Sequence, residues 1–210
     1  MTIVKEIAAH FANYPVFTYR DVKLYIEGGR RSVKNLPRLL SYMKSTGAIS
    51  SIRKGAYTFN KDIMVAGFAY SPFYYGLLSA LTIRELWTQN SKPEIMTLRK
   101  VRNSRSYVFE EKNNIVFLHH VPAKYFFGFD TVNYGKLKVP VSNPEKTLID
   151  LFYYKVKLPI QNYSGLLRAV NRKKLEEYLK MYNRRIAKTV LNFVEKYKAK
   201  ADSGRLESPY

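Results

Sequence analysis

The sequence predicts an α+β protein in two parts, and three observations carry the prediction. Residues 2–59 hold three apolar runs at helical spacing, followed by two short β-prone runs around a basic, glycine-bearing turn. Residues 93–141 change to short extended runs rich in Tyr and Phe, separated by turn residues. Residues 143–200 return to the helical period and carry a strong excess of Lys and Arg.

Ile3, Val4, Ile7, Ala8 and Phe11 recur at helical spacing and predict a first amphipathic helix over 2–13. Thr18 precedes Asp21 by three residues, a capping-box start for a second helix that Gly28 and Gly29 end. A third helix places Val33, Leu36, Leu40 and Met43 on one face, with Leu39 beside them. Lys34, Arg38, Ser41 and Ser45 lie on the other, flanked by Asn35 and Tyr42. Its start is open: either Ser32 caps it, or it begins near Leu36 with Pro37 in the first turn. Gly47 ends it. Ala48–Ile52 and Ala56–Phe59 flank Arg53-Lys54-Gly55, a hairpin signal. Three helices and a hairpin in this order are the outline of a winged helix-turn-helix.

Residues 61–67 read as a connector. Ser71-Pro72 reads as an N-cap with a first-turn proline, opening a long helix to about Gln89 that is apolar almost all round. Short β-prone runs follow at Ile95–Leu98, Ser106–Glu110, Ile115–His119 and Lys124–Phe127. An extended pair over Thr131–Val139, around Gly135, completes a small mixed sheet. Asn143-Pro144-Glu145 opens a helix with a cap, a first-turn proline and an acid near the positive end of the dipole. Asn171 and Asn183 cap two further helices, and residues 201–210 read as a disordered tail. The expected organisation is a winged helix-turn-helix over 1–60, a connector over 61–67 and an α+β C-terminal domain over 68–200 with basic terminal helices.

Composition narrows the function. Hydrophobic residues make up 46% of the 210 residues, enough for a packed core. Lys and Arg number 36 against 16 Asp and Glu, a formal charge of +20 that predicts a polyanionic partner: DNA, RNA or an anionic membrane surface. The absence of cysteine excludes disulfides, Cys-based zinc sites and thiol catalysis. No apolar stretch reaches membrane-spanning length and the N-terminus does not read as a signal peptide, so the expected location is cytoplasmic.

A charged helix face alone is ordinarily a solvated face. Here the glycine stop and the basic wing follow it in the order that duplex recognition requires. Arg38 and Lys34 carry donors suited to guanine O6 and N7, and Asn35 is suited to adenine edges. Ser41 and Tyr42 complete the face, and Arg20 on the second helix joins the set. Arg30, Arg31, Arg53 and Lys54 are expected on phosphates. Residues 155–200 hold thirteen Lys and Arg against three acids. Arg172, Lys173, Arg184 and Arg185 are the candidates there for a second polyanion surface, on DNA backbone or on RNA.

No catalytic residue, metal site or cofactor is expected. His119 and His120 are adjacent in a strand and point to opposite faces, and His10 reads as structural. Glu110-x-Lys112 is a faint nuclease-like pair without a matching upstream Asp. Glu145 reads as helix-start chemistry and Asp150 as the partner of a neighbouring Lys or Arg.

The order of these features resembles the AbiEi family of antitoxins and regulators. The first part is similar through Phe17-Thr18-Tyr19-Arg20-Asp21-Val22, Leu36-Pro37-Arg38-Leu39-Leu40 and Lys54-Gly55-Ala56-Tyr57. The second is similar through Ser71-Pro72, Ser79-Ala80-Leu81, Phe127-Gly128-Phe129 and, best, Asn143-Pro144-Glu145-Lys146-Thr147-Leu148-Ile149-Asp150. The resemblance covers about residues 5–195. It implies a type IV antitoxin that binds inverted repeats in its own promoter and represses its operon. The implied partner is a nucleotidyltransferase-like toxin, opposed without a stable complex. The chain is expected to be a monomer in solution. Relatives that stand alone as transcription regulators leave that role open, and an RNA-binding role for the C-terminal helices is the alternative.

Overall fold

The structure is a computed structural model that describes residues 2–29, 33–102, 104–107 and 114–202. It is an α+β fold. The N-terminal part contains α1 (Ile3–Phe11), β1 (Phe17–Thr18), α2 (Tyr19–Gly28), α3 (Leu36–Ser45), β2 (Ser50–Arg53) and β3 (Ala56–Thr58). The strands form an antiparallel sheet in the order β1-β3-β2. Ile7, Phe11, Phe17, Val22, Ile26, Leu36, Leu40, Met43 and Ile49 bury a core beneath it.

Local chemistry fixes the helix starts. The Thr18 hydroxyl accepts from Asp21 N at 3.2 Å, and the Asp21 carboxylate accepts from Thr18 N at 2.7 Å, a reciprocal capping box. α3 begins at Leu36, with Asn35 as its N-cap and Pro37 in the first turn, where a missing N–H costs little. Gly55, at φ +76, turns the hairpin in a conformation that favours glycine.

The second part is built on β4 (Phe73–Tyr75), β5 (Glu94–Thr97), β6 (Arg105–Tyr107), β7 (Ile115–His120), β8 (Phe129–Tyr134) and β9 (Leu137–Ser142). They form one mixed sheet in the order β6-β7-β5-β4-β9-β8. The β4–β9 and β5–β7 pairs are parallel and the others antiparallel. The helices are α4 (Leu77–Ile83), α5 (Pro144–Tyr153), α6 (Ser164–Ala169), α7 (Arg172–Leu179) and α8 (Arg184–Asp202).

Three expectations need correction. The long helix over 71–89 is instead strand β4 followed by the short α4. β4 lies inside the sheet and is buried on both faces. Phe73 and Tyr75 enter one core while Tyr74 enters the other, so the run is apolar at every position and mimics a buried helix. The strand expected over Lys124–Phe127 is replaced by a 3-10 turn at Ala123–Tyr125. Residues 61–67 are no free connector. A 3-10 helix over Ile63–Tyr70 buries Met64, Val65, Ala66 and Ala69 in the core of one sheet face, together with Ile52 and Ala56 of the hairpin.

The six-stranded sheet therefore separates two layers. The hairpin and the 3-10 helix cover one face. α4–α8 cover the other through Leu77, Leu81, Leu148, Leu166, Leu175 and Val190. Ala201 and Asp202, assigned to the tail from sequence, continue α8, and the rest of that tail lies outside the described residues. Among the described residues no helix is long and apolar enough to cross a membrane.

Candidate nucleic-acid interface

α3 presents the face that its periodicity implies. Leu36, Leu40 and Met43 are buried, whereas Arg38, Ser41 and Tyr42 are exposed. Lys34, expected on the same helix face, is exposed but lies in the turn before the Asn35 cap, because the helix starts only at Leu36. Tyr42 is 58% exposed and presents its ring on the outward face of α3. α2 and the wing turn are joined by Tyr19 N donating to Gly55 O at 3.2 Å. Exposed Arg20 and Lys54 thus stand on two segments that touch. A groove of about 450 Å³ runs between α2 and the start of α3, lined by Tyr19, Lys23, Lys34, Asn35 and Pro37 among others. Arg30 and Arg31 lie outside the described residues, as do Glu110 and Lys112.

Three candidates have other work. The Asn35 side-chain oxygen accepts from Arg38 N at 3.0 Å. Bidentate pairing with adenine needs that oxygen as an acceptor, so the cap competes directly with the expected base contact. Arg53 does not reach outward with the wing tip. Its Nε donates to Ala69 O at 2.7 Å and its guanidinium lies 5.9 Å from the Tyr70 ring centroid, at the junction with the second part. Arg172 is paired with Glu176 at 2.6 Å and with Glu195 at 2.7 Å, tying α7 to α8. Lys173, Arg184 and Arg185 are exposed. They belong to the helical layer, across the sheet from the hairpin, so they do not extend the α3 surface directly.

The second part contains a buried polar network that the sequence only partly signals. Lys146 and Asp150, one helical turn apart on α5, are ion-paired with 0% and 1% of their side chains exposed. Tyr74 donates its hydroxyl to Asp150 at 2.9 Å, and Lys146 Nζ donates to the Tyr182 hydroxyl at 3.0 Å. The ammonium sits near the rings of Tyr74, Phe127 and Tyr182, each within 5.7 Å of its centroid. Burial pushes the Asp150 carboxyl up and the Lys146 ammonium down, and their contact opposes both shifts. Glu145 is buried too; it accepts from Asn171 N at 2.7 Å and lies 3.4 Å from Lys174 Nζ, so it fastens α5 to the start of α7. This network is enclosed by the core and joins sheet to helices, an organising rather than a binding arrangement.

His119 pairs with Glu94 at 2.8 Å, while the His120 ring lies 3.3 Å from Arg99 O. Among the described residues no cluster of three or more His, Asp or Glu could hold a metal ion.

Sequence reading passed over the segment Arg99–Arg105, which holds four cations in seven residues. Its signal was the charge run itself, in a stretch read only for its strands.

No family model and no curated sequence matches the chain. Among solved structures, the RV2827C protein from Mycobacterium tuberculosis is similar in fold. The TM-score is 0.60 at 11% identity, covering 92% of this chain and 78% of that one. At that identity the likeness speaks to the shared fold alone.

Proposed function

We propose that the protein is a duplex-DNA-binding transcriptional repressor that acts as the antitoxin of a type IV toxin–antitoxin system. The observation that carries this reading is α3: a helix with a buried apolar face, an outward face of Arg38, Ser41 and Tyr42, exposed Lys34 in the turn that leads into it, and an adjoining wing tipped by Lys54. The formal charge of +20 supports a polyanionic partner. In this reading α3 enters the major groove and Arg38 and Lys34 select bases. Arg20 and Lys54 hold phosphates and set the register. The antitoxin role rests on the resemblance to AbiEi proteins, with a nucleotidyltransferase-like toxin as functional partner and the cytoplasm as location.

Two arms test the two halves of the proposal. In gel-shift titrations, the DNA upstream of the gene should bind more tightly than a shuffled duplex of equal length. Co-expression with a nucleotidyltransferase-like neighbour gene should restore growth. Equal affinity for both duplexes removes the repressor role, and unrelieved toxicity removes the antitoxin role.

A further inference from the structure

Residues 99–102 and Arg105 lie beside Arg53 at the base of the wing. An open cleft of about 320 Å³ there is walled by Arg53, Arg99, Lys100, Arg102 and Arg105. The apolar part of its lining is Tyr70, Val101 and Leu118. Arg53 Nε donates to Ala69 O at 2.7 Å and Arg99 Nε to Ser71 O at 2.9 Å. The two carbonyls flank Tyr70 in sequence, the Arg53 guanidinium lies 5.9 Å from the Tyr70 ring centroid, and Arg99 and Tyr70 line the same cleft. An arginine held through Nε presents its terminal nitrogens as a fixed fork, the geometry that matches phosphate oxygens. Among the described residues no carboxylate lies within ion-pair distance of any of the five cations.

Like charges gathered without counter-ions repel one another, and a ligand carrying several negative charges relieves that repulsion. Five cations exceed what a single phosphate neutralises. We propose that this cleft is a binding site for a run of two or more phosphate groups. Two sources supply that chemistry: the polyphosphate of a free nucleotide, or successive phosphates of a nucleic-acid backbone. The site goes beyond recognition by α3 and does not require it.

The test uses the full chain and the Arg102→Gln/Arg105→Gln variant, which spares the anchored Arg53 and Arg99. Inorganic pyrophosphate, ATP and a duplex of arbitrary sequence are titrated by calorimetry and by salt-dependent binding. A Lys136→Gln/Lys138→Gln variant, equal in charge loss but on the β8–β9 hairpin, is the control. In the first variant pyrophosphate affinity should fall about tenfold or more, or the duplex salt slope should drop by about 1.8, two contacts at about 0.9 each. Loss of pyrophosphate and ATP binding with an unchanged slope identifies a free nucleotide as the source. A reduced slope identifies the backbone. No change in either quantity overturns the proposal, as does an equal loss in the control, which would reduce the effect to net charge. Because the duplex sequence is arbitrary, a missing sequence preference at α3 leaves this result standing.

Discussion

Removing the Lys146 charge alone should damage the fold more than removing both charges of its pair. Lys146→Met leaves Asp150, 1% exposed, with the Tyr74 hydroxyl as its remaining donor among the contacts that hold it. A lone buried carboxylate can neutralise itself by taking a proton. Doing so near pH 7 from an ordinary carboxyl value costs about 4 kcal/mol, roughly three pH units at about 1.4 kcal/mol each. That ceiling agrees with the roughly 3–5 kcal/mol found when one partner of a buried pair is removed. Adding Asp150→Asn removes the charge and keeps an acceptor for Tyr74, so the double variant should recover about 2 kcal/mol over the single one. Urea denaturation followed by circular dichroism measures both midpoints. The single variant should also become more pH-dependent than wild type. Burial already holds the Asp150 carboxyl above its ordinary value, and removing Lys146 takes away the charge that opposes that rise, so the native state holds the proton more tightly still. Its stability is then retained in acid and lost as pH rises through the folded value, and Lys146→Met should regain ground on wild type on going from about pH 7 to about pH 5. A double variant no more stable than Lys146→Met, or a single variant with the wild-type pH profile, would refute the reasoning.

The wing separates two arginine and lysine roles. Arg53→Ala should lower stability by about 1–2 kcal/mol because it deletes the bond to Ala69 O, whereas exposed Lys54→Ala should stay within about 0.5 kcal/mol of wild type. Lys54→Ala should instead reduce the duplex salt slope by about 0.9; thermal melts and binding titrations read the two effects apart. Asn35→Ala should cost about 1 kcal/mol through loss of the α3 cap, and Asn35→Ser should restore it, with neither changing preference at any adenine of the target. Gly128→Ala should destabilise by more than about 1 kcal/mol in urea, since Gly128 has φ +73 and an added Cβ would lie 2.8 Å from Tyr178 Cε2.

Features written in short stretches of chain were legible in advance. The Thr18–Asp21 box, the Asn143 cap with Pro144, and the Gly55 turn each depend on residues within four positions of one another. The face of α3 was legible because period and polarity agree. What failed depended on the fold. Phe73-Tyr74-Tyr75 carries no alternation because both faces of β4 are covered. Arg53 sits in a turn that reads as a wing tip, and only the packing of Ile63–Tyr70 against the hairpin turns it inward. Asn35 suits both a cap and a base contact, and the start of α3 decides between them. Asp150 was expected to have a basic partner, but nothing local announced that Lys146 would be wholly buried among three rings. The cations of Arg99–Arg105 are adjacent in sequence, yet their significance arises from Arg53, brought to them from more than forty residues away.

The central claim is that α3 reads sequence. Its most direct test is the ratio of affinities for the upstream DNA and a shuffled duplex, measured at one salt concentration for the wild type and for Arg38→Ala. Wild type should prefer the upstream DNA, and Arg38→Ala should lose about 1–3 kcal/mol of that preference while its affinity for the shuffled duplex changes much less. A ratio that is the same in both proteins would contradict the claim.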